Sequence, residues 1–216
     1  MKRLLIISLF LFGAVSISKA KVELPQLFAD NMVLQQKSEA ALWGKADPGK
    51  KVVIMTGWSK SKVTVTADSD GRWSARVSTP EAGGPYEITF NDGDKVTLKN
   101  VLIGEVWLCS GQSNMAWKTE LCLDLKDEME DAANVGKHVR LFTTGRIRSD
   151  KPEVDVPGAR WTGCTPETVA SFSGVGYGFG IELQKALDVP VGLLQASFGG
   201  TFIEGWVSQD AIHNGE

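Results

Sequence analysis

Apolar residues are spaced in two different ways along this chain. Across residues 21–103, short β-rich runs alternate with turn signals. The runs fall at 40–44, 52–55, 63–66, 72–77, 86–90 and 96–98. Between them lie Asp47-Pro48-Gly49, Gly57, Asp68-Ser69-Asp70-Gly71, Gly83-Gly84-Pro85 and Asn91-Asp92-Gly93-Asp94. The run 72–77 alternates strictly, with Trp73, Ala75 and Val77 on one face and Arg72, Ser74 and Arg76 on the other. Strands at this regular spacing, separated by turns, predict a β-sandwich over residues 21–100.

From residue 101 the period changes. Residues 101–109 are almost continuously apolar, as in a strand buried on both faces. Residues 115–135 are rich in Glu, Leu, Asp and Ala and read as helix, and 139–143 read as the next strand. A polar, proline-containing connection runs to about residue 170. Phe179, Leu183 and Leu187 recur at helical spacing within 176–187, Asp188-Val189-Pro190 stops that helix, and 191–196 form another buried strand. Alternation of strand and helix predicts an α/β sheet over 101–216.

Residues 1–20 stand apart from both halves. Lys2 and Arg3 precede an apolar run, and Ser18-Lys19-Ala20 supplies a small-x-small cleavage site, so this segment reads as a secretory signal peptide. The mature chain would start near Lys21 and be secreted or periplasmic, and no later stretch is apolar enough for a membrane span. Without Lys2, Arg3 and Lys19, the 23 Lys and Arg residues fall to 20 against 26 Asp and Glu, a net charge of −6. Such a surface repels polyanions, which argues against nucleic acid as a partner. The three cysteines, Cys109, Cys122 and Cys164, fit no zinc spacing. Cys109 reads as a small buried hydrophobe, and an oxidising compartment would permit one disulfide, Cys122–Cys164.

Two segments look like ligand sites and read better as structure. Asp68-Ser69-Asp70-Gly71 resembles the start of a calcium loop, but Thr79 stands where an EF-hand needs Glu. Gly174-Val175-Gly176-Tyr177-Gly178-Phe179-Gly180 lacks the dinucleotide fingerprint, because Phe179 occupies the third glycine position. Its small residues suit close helix packing.

The chemistry concentrates at two strand ends. Strand 101–109 stops on Ser110-Gly111-Gln112-Ser113-Asn114-Met115, with a helix following. Ligands in open α/β sheets lie beyond the carboxyl ends of the strands. Ser113 is therefore either a nucleophile at that crevice or, like Asn114, a helix N-cap. Gly-x-Ser-x-Gly is absent, since Met115 follows two residues after Ser113. Strand 191–196 likewise ends on Ser197, Phe198, Gly199, Gly200 and Thr201, and glycine there lets a backbone N–H approach an oxyanion.

The segments LFADNMVLQQ (27–36), LWGKADPG (42–49), GEVWLCSGQSNM (104–115) and ELQKALDVPVGLLQASFGGTFIEGWVS (182–208) resemble the sialate O-acetylesterase family of SGNH-type hydrolases, in its N-terminal portion. The resemblance implies a β-sandwich beside a flavodoxin-like α/β/α hydrolase domain, here truncated. It implies a secreted carbohydrate O-acetylesterase that needs no cofactor and no metal and acts on acetyl esters of sialic acid. By resemblance Ser113 is the nucleophile. The oxyanion donors are the N–H groups of Ser113 and of Gly200 or Gly199. Gln112, Asn114 and Thr201 shape the site.

The family also carries an Asp-x-x-His segment near its carboxyl end. Asp210-Ala211-Ile212-His213 spells it, but comes too soon after Trp206 for further strands to intervene, so Asp210 and His213 are set aside as the acid/base pair. The remaining histidine, His138, has Val135 three residues before it. Nothing in the sequence fixes the sugar. Acetylated xylan or another polysaccharide is the nearby alternative, and a non-catalytic carbohydrate-binding protein is the alternative of another class.

Overall fold

A computed structural model describes residues 21–147, 149 and 151–214, and the leader expected over 1–20 lies outside them. The first part is all strand: β1 (Val33–Gln35), β2 (Glu39–Lys45), β3 (Lys51–Thr56), β4 (Lys62–Thr66), β5 (Arg72–Ser78), β6 (Gly83–Asn91) and β7 (Lys95–Gly111). β2 and β5 form a two-stranded sheet, while β4, β3, β6 and β7 lie in order in the larger one. Alternation decides which side chains go inside. Trp73, Ala75 and Val77 of β5 are buried and their neighbours are exposed. They meet Leu42, Val52, Ile54, Ile88, Phe90, Val101 and Ile103 in one apolar cluster, with the Trp73 and Phe90 rings 5.7 Å apart. Asp68 Oδ1 accepts the N–H groups of Asp70 (2.9 Å) and Arg72 (2.8 Å), and Gly71 takes φ +75°, so this segment is the hairpin turn its sequence suggests.

The sequence pattern separates a strand at 96–98 from one at 101–109, but the structure joins them in β7. The polar pair Lys99 and Asn100 does not end the strand, because it is held from outside. Lys99 N–H donates to Asp30 Oδ1 (2.7 Å), and Asn100 Nδ2 donates to Asn31 Oδ1 (2.7 Å). Asn100 takes φ +55°, a conformation asparagine tolerates. One strand thus serves both halves of the chain.

The second part contains α1 (Ser113–Ala116), α2 (Lys126–Glu130), α3 (Ala132–Val135), β8 (Val139–Thr143), β9 (Trp161–Gly163), α4 (Pro166–Ala170), α5 (Gly174–Leu187), β10 (Val191–Ser197) and α6 (Gln209–Asn214). β7, β10 and β8 run parallel in that order, and β9 closes the edge antiparallel to β8. A second cluster, including Cys109, Leu141, Phe172, Tyr177, Ile181 and Leu193, fills the space between sheet and helices.

The glycine run at 174–180 is a packing surface. A Cβ on Gly180 would lie 2.5 Å from Leu193 Cδ1, and one on Gly176 would lie 3.0 Å from Cys109 Sγ. α5 ends at Asp188, which takes φ +50°.

The single helix expected over 115–135 is broken into α1, turns of 3-10 helix at Thr119–Leu121 and Leu123–Leu125, then α2 and α3. Tertiary hydrogen bonds override helical propensity here. Thr119 is buried, and both its N–H (2.9 Å) and its Oγ1 (3.2 Å) donate to Phe172 O.

The Cys122–Cys164 disulfide does not form, and all three cysteines are free thiols. Cys164 is buried with its Sγ on Val139 O (3.7 Å), whereas Cys122 Sγ turns to Lys118 O (3.5 Å). Burial pushes the Cys164 thiol up to about 12, with the Arg140 guanidinium opposing the shift, and burial raises Cys109 as well.

One edge of β7 is left open. Leu102 N–H donates to Met32 O beside β1, and Glu105 N–H donates to Pro190 O beside β10. Those residues are three apart, so the two bonds leave opposite edges of the strand. β1 reaches only Gly104, and the Gln35 side chain then caps Val106 N–H (2.9 Å). Past that point no strand among the described residues pairs with this edge, and Trp107 (44%) and Leu108 (67%) are exposed.

Candidate active site

Parallel pairing sets the carboxyl ends of β7, β10 and β8 side by side. The chain leaves β7 through Gly111, whose φ of +141° favours glycine, and Gln112 leads directly into α1. Ser113 is therefore the first residue of a four-residue helix, exposed at the tip of the sheet. Its side chain caps nothing, and its hydroxyl has no hydrogen-bond partner among the described residues.

The exit of β10 lies against it. Phe198 N–H donates to Gly111 O (3.0 Å), tying the two strand ends together. A Cβ on Gly199 would sit 3.3 Å from both Cα and Cβ of Ser113, so glycine is what permits this approach. Gly200 takes φ +79° and faces open space. The backbone N–H groups of Ser113, Gly199 and Gly200 donate to no acceptor among the described residues. A serine hydroxyl beside free N–H groups at a strand crevice has the parts needed for acyl transfer.

Gln112 and Thr201 brace the two loops. Gln112 Nε2 donates to Thr201 O. Thr201 Oγ1 donates to Phe198 O (2.8 Å) and accepts Trp206 Nε1–H (2.8 Å). Asn114 is exposed, and its carbonyl accepts Trp117 N–H (3.3 Å). Asp210 and His213 lie on α6, where His213 Nδ1 contacts Gln209 O one turn back (2.7 Å), and among the described residues neither side chain hydrogen-bonds to Ser113. His138 sits just before β8, at the opposite ends of the parallel strands, in a cleft with Arg140, Asp188 and Pro190. Among the described residues no group of three His, Cys, Asp or Glu side chains is arranged to hold a metal.

Two residues at this end of the sheet escaped the sequence reading. Gln195 is buried inside β10 and joins three elements. Its Oε1 accepts Ser173 N–H (3.0 Å) at the start of α5, its Nε2 donates to Ser197 Oγ (2.9 Å), and its carbonyl accepts both Thr144 N–H (2.9 Å) and Thr144 Oγ1–H (3.1 Å) after β8. A lone amide in an apolar strand was the available signal, since a buried polar group needs partners. Arg146 lies beyond β8 with its guanidinium 5.0 Å from the centroid of the Phe198 ring. It sits in an aperiodic loop, where hydrophobic patterning carries no signal.

No protein-family model matches the chain. The sialate O-acetylesterase of Mus musculus is 32% identical over 206 residues, covering 86% of this chain and 37% of that protein. The Homo sapiens sialate O-acetylesterase is 31% identical over 196 residues, covering 83% and 37%. The chain thus spans well under half the length of these relatives. Among solved structures, a carbohydrate acetylesterase from Xanthomonas citri superimposes with a TM-score of 0.82 at 31% identity, over 90% of this chain and 44% of that one.

Proposed function

We propose, from the chain's homology to the sialate O-acetylesterases, that it carries the nucleophile end of a carbohydrate O-acetylesterase acting on O-acetylated sialic acid. The observation that carries this reading is Ser113, exposed at the carboxyl end of β7 with Gly199 pressed against it. In the proposed reaction Ser113 Oγ attacks the acetyl carbonyl carbon. The developing oxyanion accepts hydrogen bonds from the N–H groups of Ser113 and of Gly200 or Gly199. The bond from the acetyl carbon to the sugar oxygen breaks, the sugar leaves as its alcohol, and water releases acetate from the acetyl-serine. The serine proton must pass through a general base to the leaving oxygen, and no such base touches Ser113 among the described residues.

The alternative reading is a chain that holds an acetylated sugar without cutting it. Acetate release from O-acetylated N-acetylneuraminic acid separates the two. Ser113→Ala is expected to lower release by at least about a thousandfold with the melting temperature unchanged. Release that survives the substitution removes Ser113 from the reaction, and no release from the unaltered chain favours binding alone.

Secretion or periplasmic export, led by residues 1–20, belongs to the same proposal. So does the division into a β-sandwich over 21–100 and the N-terminal part of an esterase domain over 101–216. Two distinct apolar clusters support that division, although β7 runs unbroken across it.

A further inference from the structure

At the carboxyl ends of β8 and β10, bordered by Phe198 and Thr201 on either side of the Gly199–Gly200 loop, is a cleft of about 270 Å³. Its lining includes Thr144, Arg146, Ser197, Phe198, Thr201 and Trp206. Arg146 is exposed and makes no ion pair among the described residues. The ion pairs among the described residues are Lys37–Glu81, Lys118–Glu120, Lys126–Glu130 and Lys185–Glu182, and none involves it. Its guanidinium lies over the Phe198 ring, which restrains the head group and leaves its N–H fork open to the cleft. The backbone beneath is pinned, because Thr144 donates twice to Gln195 O just before Arg146 begins.

We propose that Arg146 is the residue that recognises the carboxylate of an acidic sugar substrate. The inference rests on the esterase reading of Ser113 and deepens it, by giving a physical reason for an anionic substrate over a neutral polysaccharide. The geometry is the strand spacing. Ser113 follows β7 and Arg146 follows β8, with β10 between them, so the two positions are about 10 Å apart across the sheet. A sugar acid with a polyhydroxylated tail spans such a distance between a tail acetyl group and its carboxylate. With the acetyl at Ser113, such a substrate would direct its carboxylate towards the Arg146 side of the sheet, where a bidentate pair can form. A neutral acetylated sugar offers this arginine only hydroxyl and carbonyl acceptors, without a charge to pair. In a chain with 26 acidic and 23 basic residues, an unpaired arginine in the cleft also gives a local attraction that the overall charge does not.

The test is binding, measured on the full chain at low ionic strength with N-acetylneuraminic acid and with its neutral methyl ester. The unaltered chain is expected to bind the acid about ten- to a hundredfold more tightly than the ester. Arg146→Gln should abolish that preference while leaving methyl ester binding unchanged, which also shows that the variant is folded. Arg146→Lys should retain part of it. Equal affinities in the unaltered chain, binding of neither compound, or a preference that survives Arg146→Gln would each overturn the assignment. Acetate release from 4-nitrophenyl acetate, with and without Ser113→Ala, is read in parallel. No activity in the unaltered chain, or activity that survives Ser113→Ala, together with an intact acid preference counts against the esterase reading alone. Esterase activity without an Arg146-dependent preference counts against this inference alone.

Discussion

The two ends of β7 are clothed differently. Its first half lies in a sheet covered by the β2–β5 pair, with Leu98, Val101, Leu102 and Ile103 all buried. Its second half has β10 on one edge and, among the described residues, no strand on the other past Val106, and Trp107 and Leu108 are exposed there, with the Trp107 ring edge-on to Phe179 at 5.0 Å. The same strand is thus a core element at one end and an uncovered one at the other. The larger of the two apolar cores packs on the first half, and the candidate chemistry follows the second. Ser113 is exposed where that second half turns through Gly111 into α1. Such an edge, with unpaired N–H and C=O groups beside exposed apolar side chains, is also where association begins.

Substitutions in the two halves should differ most in stability. Phe90→Ala, in the first core, should cost about 3–5 kcal/mol in a denaturant melt, because Phe90 is fully buried against Trp73. A loss below about 1 kcal/mol would show that the first half is not the stable one.

The sheet–helix contact of the second half should show a smaller effect. Gly180→Ala places a Cβ 2.5 Å from Leu193 Cδ1, and overpacking of this kind costs about 1–3 kcal/mol. A neutral substitution would mean that α5 shifts freely on β10.

Leu108→Lys on the open edge should change the melt by no more than about 0.5 kcal/mol while reducing self-association in sedimentation. A strongly destabilising outcome would mean that Leu108 is covered in solution.

The smallest effect is chemical. In the native chain Cys122 alone should react with a thiol reagent near neutral pH, since Cys109 and Cys164 are buried with raised thiol pKa values. The Cys164 thiol is raised to about 12 from an ordinary value near 9. Its contribution to stability is therefore complete below pH 9 and is lost as the pH rises towards 12. Prompt labelling of Cys164 at neutral pH would show that the second core opens easily.

What could be read in advance follows from where periodicity speaks. β5, β8 and β10 were legible because alternation, or unbroken apolarity, continues over their whole length. The fragmented segment after Ser113 was not, because Thr119 answers to Phe172, far along the chain, rather than to its helical neighbours. β1 and β9, with three residues each, are too short to show a period. α4 did carry a local sign in Thr165 followed by Pro166, and the structure shows Thr165 as its cap. At the site, Ser113, Gly199 and Gly200 were legible as small residues ending buried strands. Their closeness was not, because it depends on β10 lying directly beside β7. Gln112 and Thr201 were expected to shape the site, and what they do structurally is hold its two loops together.

The most direct test of the account is to treat the chain with an organophosphonate ester that modifies activated serines and to map the adduct by peptide mass. One adduct is expected, on Ser113, lost in Ser113→Ala and unaffected by Arg146→Gln. An unmodified Ser113, or an adduct on another serine, would contradict it.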